Sequence, residues 1–265
     1  MSRITKQLQQ RAAGKSAGSP VFSCIGDLLA YHSRTAPERD AIQAPGRSPM
    51  TYQALWTSAK DTLRGLRSLG VSRGDRVAIT LPEGPETAVT IISIAAGAVC
   101  VPLNPGFTVD ECQRYFAELG VAALLTRPDV NSASREAALA LGIPVADLPT
   151  APRGGFGPTD IVCGTKGHIS DDDFASGTDD AFILLTSGST SRPKMVPLTH
   201  TSVCLSAHNV GAAIALEPRD RLLSVLPLFH GHGLISGVLG ALAAGSSVVC
   251  TSGFDAVAFY DWLKE

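Results

Sequence analysis

Apolar positions along this chain change period several times, and each change marks an element. Residues 22–33 read as a helix. After Thr51, the residues Leu55, Ala59, Leu63, Leu66 and Leu69 recur at three- and four-residue spacing. That is the stripe of a helix packed on one face, and Gly70 ends it. The pattern then turns into short runs. R-V-A-I-T-L at 76–81 predicts a buried strand, and an apolar helix follows at 85–98, with Pro85 suited to its first turn. Residues 99–103 are a strand. Thr108, with Glu111 three residues on, forms a capping box, and Gly120 closes that helix. A strand at 121–126, a helix at 132–141 and a strand at 143–146 continue the alternation. Strands alternating with helices of this length predict an α/β fold: layered parallel-type sheets with flanking helices and right-handed crossovers.

Residues 148–180 interrupt the alternation. They are rich in Pro, Gly, Thr and Asp and include the run Asp171, Asp172, Asp173. This is a connector, and the acidic run is a solvated loop, because it lacks the Gly and the distant Glu of a calcium loop. The alternation resumes with A-F-I-L-L at 181–185 and a short strand at 194–198. A helix starting at Thr199 or Thr201 runs to about 215. Residues 222–226 are a strand, 234–244 a helix, 246–251 a strand and 255–264 the start of another helix. The expected organisation is a mobile tail at 1–20, a first α/β subdomain with its connector at 21–180, and the truncated start of a second at 181–265.

Composition narrows the class. Of 265 residues, 45% are hydrophobic and 17% charged, which supports a sizeable core. A net charge of -2 gives no footprint for nucleic acid. Residues 87–109 carry no formal charge, nor do 222–254 apart from two histidines. Gly97, Pro102, Asn104 and Pro105 break the first stretch, and Pro227, His230, Gly231, His232 and Gly233 break the second. Each reads as a buried helix beside a buried strand and not as a membrane span. The six cysteines form no C-x-x-C pair, disulfide framework or zinc spacing, so they read as reduced, buried thiols of a cytoplasmic protein. The first 26 residues have no Asp or Glu and include Arg3, Lys6, Arg11 and Lys15. They fit a basic tail better than an organelle-import leader, because no long apolar face runs through them.

The candidate chemistry lies at 186–194, T-S-G-S-T-S-R-P-K, directly after an apolar strand. Hydroxyls and a glycine make a poor core and a good anion cradle. Gly188 lets the backbone approach closely, and Arg192 and Lys194 add positive charge. In a doubly wound sheet, the loop leaving a strand's C-terminal end is where ligands bind. A Walker loop is disfavoured, because Pro193 stands at its second Gly and Met195 at its magnesium-binding Ser/Thr. No G-x-G-x-x-G follows the early strands.

Read through to His200, T-S-G-S-T-S-R-P-K-M-V-P-L-T-H resembles the signature of the acyl-adenylate-forming (AMP-binding) superfamily. Ser191 and Met195 stand where that pattern usually has glycine. L-P-L-F-H-G-H-G-L at 226–234 is similar to the family segment beside the acyl pocket. M-T-Y-Q-A-L, G-V-S-R-G-D-R-V-A-I and V-P-L-N-P look like its N-terminal region. The two central motifs together most resemble the oxalate–CoA ligase branch.

The resemblance implies an acid–CoA ligase that uses ATP, Mg2+ and CoA on a small carboxylic acid. It implies that Thr186, Ser187, Gly188, Ser189, Thr190, Ser191, Arg192 and Lys194 hold the ATP phosphates. Thr190 would meet the metal, Lys194 would act in catalysis, and His230 would line the carboxylate site. His230 and His232 alone make a poor metal site. The family's later adenine, ribose and magnesium segments have no counterpart before Glu265. The expectation is therefore a front part that lacks its C-terminal half and has little activity alone. A carrier-protein-loading module, a non-catalytic nucleotide-binding fragment and a simple phosphate binder stay open as alternatives. Oligomeric state is left open.

Overall fold

The computed structural model describes residues 20–129, 132–148, 169–186 and 193–264. In chain order the elements are α1 (Ile25–Thr35), β1 (Asp40–Gln43), β2 (Met50–Thr51), α2 (Tyr52–Ser68), β3 (Arg76–Ile79), α3 (Pro85–Ala95), β4 (Val99–Pro102), α4 (Val109–Leu119), β5 (Val121–Thr126), α5 (Ser132–Ala140) and β6 (Val145–Asp147). After a 3-10 turn at Asp171–Asp173 come β7 (Asp180–Thr186), β8 (Lys194–Thr199), α6 (His200–Ala213) and β9 (Arg221–Ser224). A π-helix (His232–Leu239) then runs into α7 (Gly240–Ala243), followed by β10 (Ser247–Cys250) and α8 (Phe259–Trp262).

The strands form two sheets, ordered β2-β1-β10-β9 and β6-β5-β3-β4-β7-β8. In the larger sheet β6, β5, β3, β4 and β7 are parallel, and β8 closes the edge antiparallel to β7. Both sheets contain strands from either side of position 180. The larger sheet is buried on both faces. Val77 and Ile79 of β3 join Leu63 and Ile91 in one core, while Ala78 joins Val101, Phe116 and Leu124 in the other. Helix α3 touches α2, β4, β1 and β10, so it lies between the two sheets. Ten of its eleven residues are buried. That accounts for the uncharged run at 87–109, and no described helix is long and apolar enough to cross a membrane.

Several elements end earlier than the periodicity suggests. Helix α3 stops at Ala95 because the connector crosses it: a Cβ on Gly97 would meet the Asp173 carbonyl oxygen at 2.3 Å and Leu63 at 2.8 Å. Arg67 locks this crossing, with Nη2 donating to the carbonyls of Gly97 and Asp173 and Nε donating to the Asp173 carboxylate at 2.7 Å. Asp171 and Asp172 are exposed, and Asp173 is the member of the run that Arg67 ties down. Because the oxygen at Gly97 belongs to backbone, Gly97→Ala should destabilise the chain by about 3 kcal/mol, read by urea unfolding.

Strands β1 and β2 are not visible as periodicity. They span four and two residues and exist through partners such as Ile42↔Val248 and Ile42↔Met50. The expected helix at 255–264 is mostly a turn, where the Asp255 carboxylate accepts from the amides of Val257 and Ala258. Cys24, Cys100, Cys112, Cys204 and Cys250 are buried free thiols. Cys163 lies outside the described residues.

Candidate active site

β3, β4 and β7 are parallel, so their exits share one edge of the larger sheet. β7 reaches that edge with L-L-T. Leu184 is buried, and Thr186 is exposed. β8 returns antiparallel and pairs residue for residue with β7: Leu184 faces Val196, Leu185 faces Met195, and Thr186 faces Lys194. The candidate cradle therefore lies in the segment of chain that joins these two antiparallel strands. The hairpin sets Thr186 and Lys194 opposite one another, with the Thr186 hydroxyl 3.4 Å from the Lys194 carbonyl oxygen. Lys194 is exposed, and no hydrogen bond or ion pair holds its ammonium among the described residues. Ser187, Gly188, Ser189, Thr190, Ser191 and Arg192 lie outside the described residues.

The second motif reaches the same edge from the smaller sheet. After β9, the amide of His230 donates to the Pro227 carbonyl (3.2 Å), and the amide of Leu234 donates to the His230 carbonyl (3.0 Å). The His230 ring lies 4.5 Å from that of Phe229 and is exposed. A Cβ on Gly231 would stand 3.4 Å from Leu184 of β7. The His230 turn therefore rests on the strand that delivers Thr186. A Cβ on Gly233 would meet the Pro227 carbonyl oxygen at 2.4 Å, which keeps the turn tight. His232 is exposed and opens the π-helix, a winding often placed at functional sites.

Two supports hold β7 in place. Asp179 pairs with Arg73 at 2.6 Å, which keeps its carboxyl below the usual range. His200, the last residue of the first motif, is fully buried, and its Nδ1 accepts the amide of Ile25 at the start of α1 (3.3 Å). Burial lowers the pKa of His200 to about 4. Of the two candidate caps for α6, Thr199 takes the role by accepting from the amide of Ser202, while the Thr201 hydroxyl donates to the Gly177 carbonyl.

Glu83 was not anticipated from sequence. It sits in the exit loop of β3, and its carboxylate accepts the amide of Leu228 at 3.0 Å. The only sequence signal was an acidic residue between an apolar strand and an apolar helix. Among the described residues, no group of three or more His, Cys, Asp or Glu could hold a metal ion.

A hydroxyl at one strand end and, at the other, an ammonium with no hydrogen bond or ion pair among the described residues suit a polyphosphate. A family model described as AMP-binding enzyme matches residues 29–265. The chain belongs to the AMP-binding enzyme family. Among curated relatives, an oxalate–CoA ligase of Arabidopsis thaliana is 32% identical over 250 residues, covering 91% of this chain and 48% of the relative. A sulfoacetate–CoA ligase of Cupriavidus necator is 31% identical, covering 91% and 47%. ATP-bound MatB from Rhodopseudomonas palustris shares the fold at a TM-score of 0.78 and 25% identity, covering 91% of this chain and 48% of MatB. The chain thus spans about half the length of the family members it matches.

Proposed function

We propose that this chain supplies the phosphate-gripping part of an ATP-dependent acid–CoA ligase for a small or dicarboxylic acid such as oxalate. The observation that carries this reading is the hairpin that sets Thr186 against Lys194 at the sheet edge, with the His230 turn resting on the same strand. In this reading the acid's carboxylate attacks the ATP α-phosphate, pyrophosphate leaves, and the CoA thiol then displaces AMP. The chain's task in the first step is positioning and charge neutralisation. Thr186 and Lys194, with Ser187, Gly188, Ser189, Thr190, Ser191 and Arg192, hold the departing β- and γ-phosphates. His230 lines the carboxylate site. Mg2+, when bound, shares the pyrophosphate charge, and Thr190 is the residue proposed to meet it.

Two relatives are named for short dianionic acids, oxalate and sulfoacetate, and they support the substrate class. One relative is a salicyl-AMP ligase of Mycobacterium tuberculosis that is also named a carrier-protein synthetase, at 31% identity. It favours a second reading, in which the thiol belongs to a carrier protein. Offering CoA and a carrier side by side separates the two.

We place the protein in the cytoplasm and pair it with the remaining half of such a ligase. Phe254, Val257, Tyr260 and Leu263 are exposed at 57% or more, and β9 has one strand neighbour among the described residues. That half would cover this face. ATP–pyrophosphate exchange with a panel of acids tests the proposal. The isolated chain should exchange little, and co-expression with the C-terminal half of a family ligase should restore exchange with short diacids. Long-chain acids outperforming oxalate would contradict the substrate class.

A further inference from the structure

The turn that carries His230 belongs to the smaller sheet, yet one carboxylate of the larger sheet's β3 exit holds it. Glu83 Oε2 accepts the Leu228 amide at 3.0 Å across 145 residues of sequence. Leu228 is 2% exposed, so its amide cannot exchange this partner for water without the turn moving. The carboxylate is delivered by a stiff loop, L-P-E-G-P. Pro82 and Pro85 fix their own backbones, and Gly84 takes φ 150, which other residues rarely adopt. The Thr87 hydroxyl donates to the Pro82 carbonyl and pins the loop from α3.

The charged and titratable neighbours leave Glu83 to this task. Glu86, from the first turn of α3, is taken by Arg47 at 2.6 Å. Cys250 of β10 is a buried thiol, pushed up to about 12 by burial and by the charges of Glu83 and Glu86. His230 and His232 are exposed on the turn and at the start of the π-helix.

We infer that Glu83 is a positioning residue: its carboxylate latches the 227–231 turn and so fixes where His230 and the π-helix entry stand relative to β7. This deepens the proposed function and rests on its reading of His230 as part of the acid subsite. The latch joins the exit of β3 to the exit of β9, so it couples the two sheets at the edge where Thr186 and Lys194 emerge. Burial holds the Glu83 carboxyl above its ordinary range. The latch is therefore strongest above that raised pKa. It weakens as pH falls through it, because a neutral carboxyl is a poorer acceptor than a carboxylate.

Amide exchange and 15N–1H spectra of the 265-residue chain test the latch directly. The Leu228 amide shift should follow the titration of Glu83 in the wild type. Glu83→Ala should speed exchange at Leu228 about tenfold and move the His230 ring resonances. Glu83→Gln keeps an acceptor oxygen, so it should restore slow exchange and abolish the pH dependence. Unchanged exchange at Leu228 in a folded Glu83→Ala chain overturns the inference. If that variant does not fold, persistence of the Leu228 titration in Glu83→Gln overturns it instead. In chains completed by a C-terminal half, Glu83→Ala should raise the KM for the acid about tenfold and leave the KM for ATP within about twofold, with Glu83→Gln recovering both. Equal loss toward acid and ATP would reduce Glu83 to a structural clamp. A wild type without any acid-dependent exchange would count against the proposed function alone, because the spectra report the turn and not the chemistry.

Discussion

Replacing Lys194 by alanine should cut acid-dependent ATP–pyrophosphate exchange by about 100- to 1,000-fold in the completed enzyme. The size follows from geometry. β8 begins at Lys194, directly across from Thr186, and no described group neutralises the ammonium. A cation placed ahead of time against a departing polyphosphate is worth about 3 to 4 kcal/mol, because it need not reorganise during the step. Lys194→Arg keeps charge but not the compact ammonium, so it should recover part of the rate. The unfolding midpoint should not change, because the side chain is exposed. A large fall in stability with Lys194→Ala would mean that the residue supports the hairpin and not the ligand.

The second large effect is on acid stability. His200 and His32 are buried, and burial lowers both from 6.5 to about 4. The unfolded chain takes the proton first. Stability is therefore complete above about pH 6.5, falls between 6.5 and 4, and changes no further from these groups below that. Each histidine should remove about 3 kcal/mol across that window, against a total of about 5–15 kcal/mol for a typical domain. Asp173 and Asp179, held low by Arg67 and Arg73, add their losses only at still lower pH. Glu83, raised by burial, works the other way and binds its proton more readily in the folded chain. Urea unfolding at pH 7.5 and pH 5 should differ by about 4 kcal/mol. His200→Asn offers its amide oxygen where Nδ1 accepts and should remove about half of that difference. An unchanged slope would show that His200 does not control acid unfolding.

Much of this architecture could be read locally. The stripe lies within α2, and the Thr108–Glu111 capping box and the left-handed Gly120 both belong to α4, so each signal is local to a single element. The strand at 121–126 was legible for the same reason. What escaped depends on residues far apart in sequence. β1 is four residues long and is a strand because β10 lies beside it. Helix α3 ends early because Asp173 occupies the space over Gly97. The stretch at 234–244 has helical periodicity, but tight contacts at Gly233 and Gly237 accompany its π winding at the front. At the site, residue type alone singles out Thr186 and Lys194 as candidates, and the short strand at 194–198 was legible. Their direct pairing across a hairpin, and the reach of Glu83 to Leu228, are tertiary facts that no local pattern carries.

The central claim is that the segment joining β7 to β8 holds a polyphosphate, and affinity labelling asks this of Lys194 itself. An ATP analogue with an aldehyde at its terminal phosphate, trapped by borohydride and mapped by peptide mass, should modify Lys194, and ATP should protect it while AMP does not. Modification spread over other lysines, or labelling of Lys194 that ATP leaves untouched, would contradict the account.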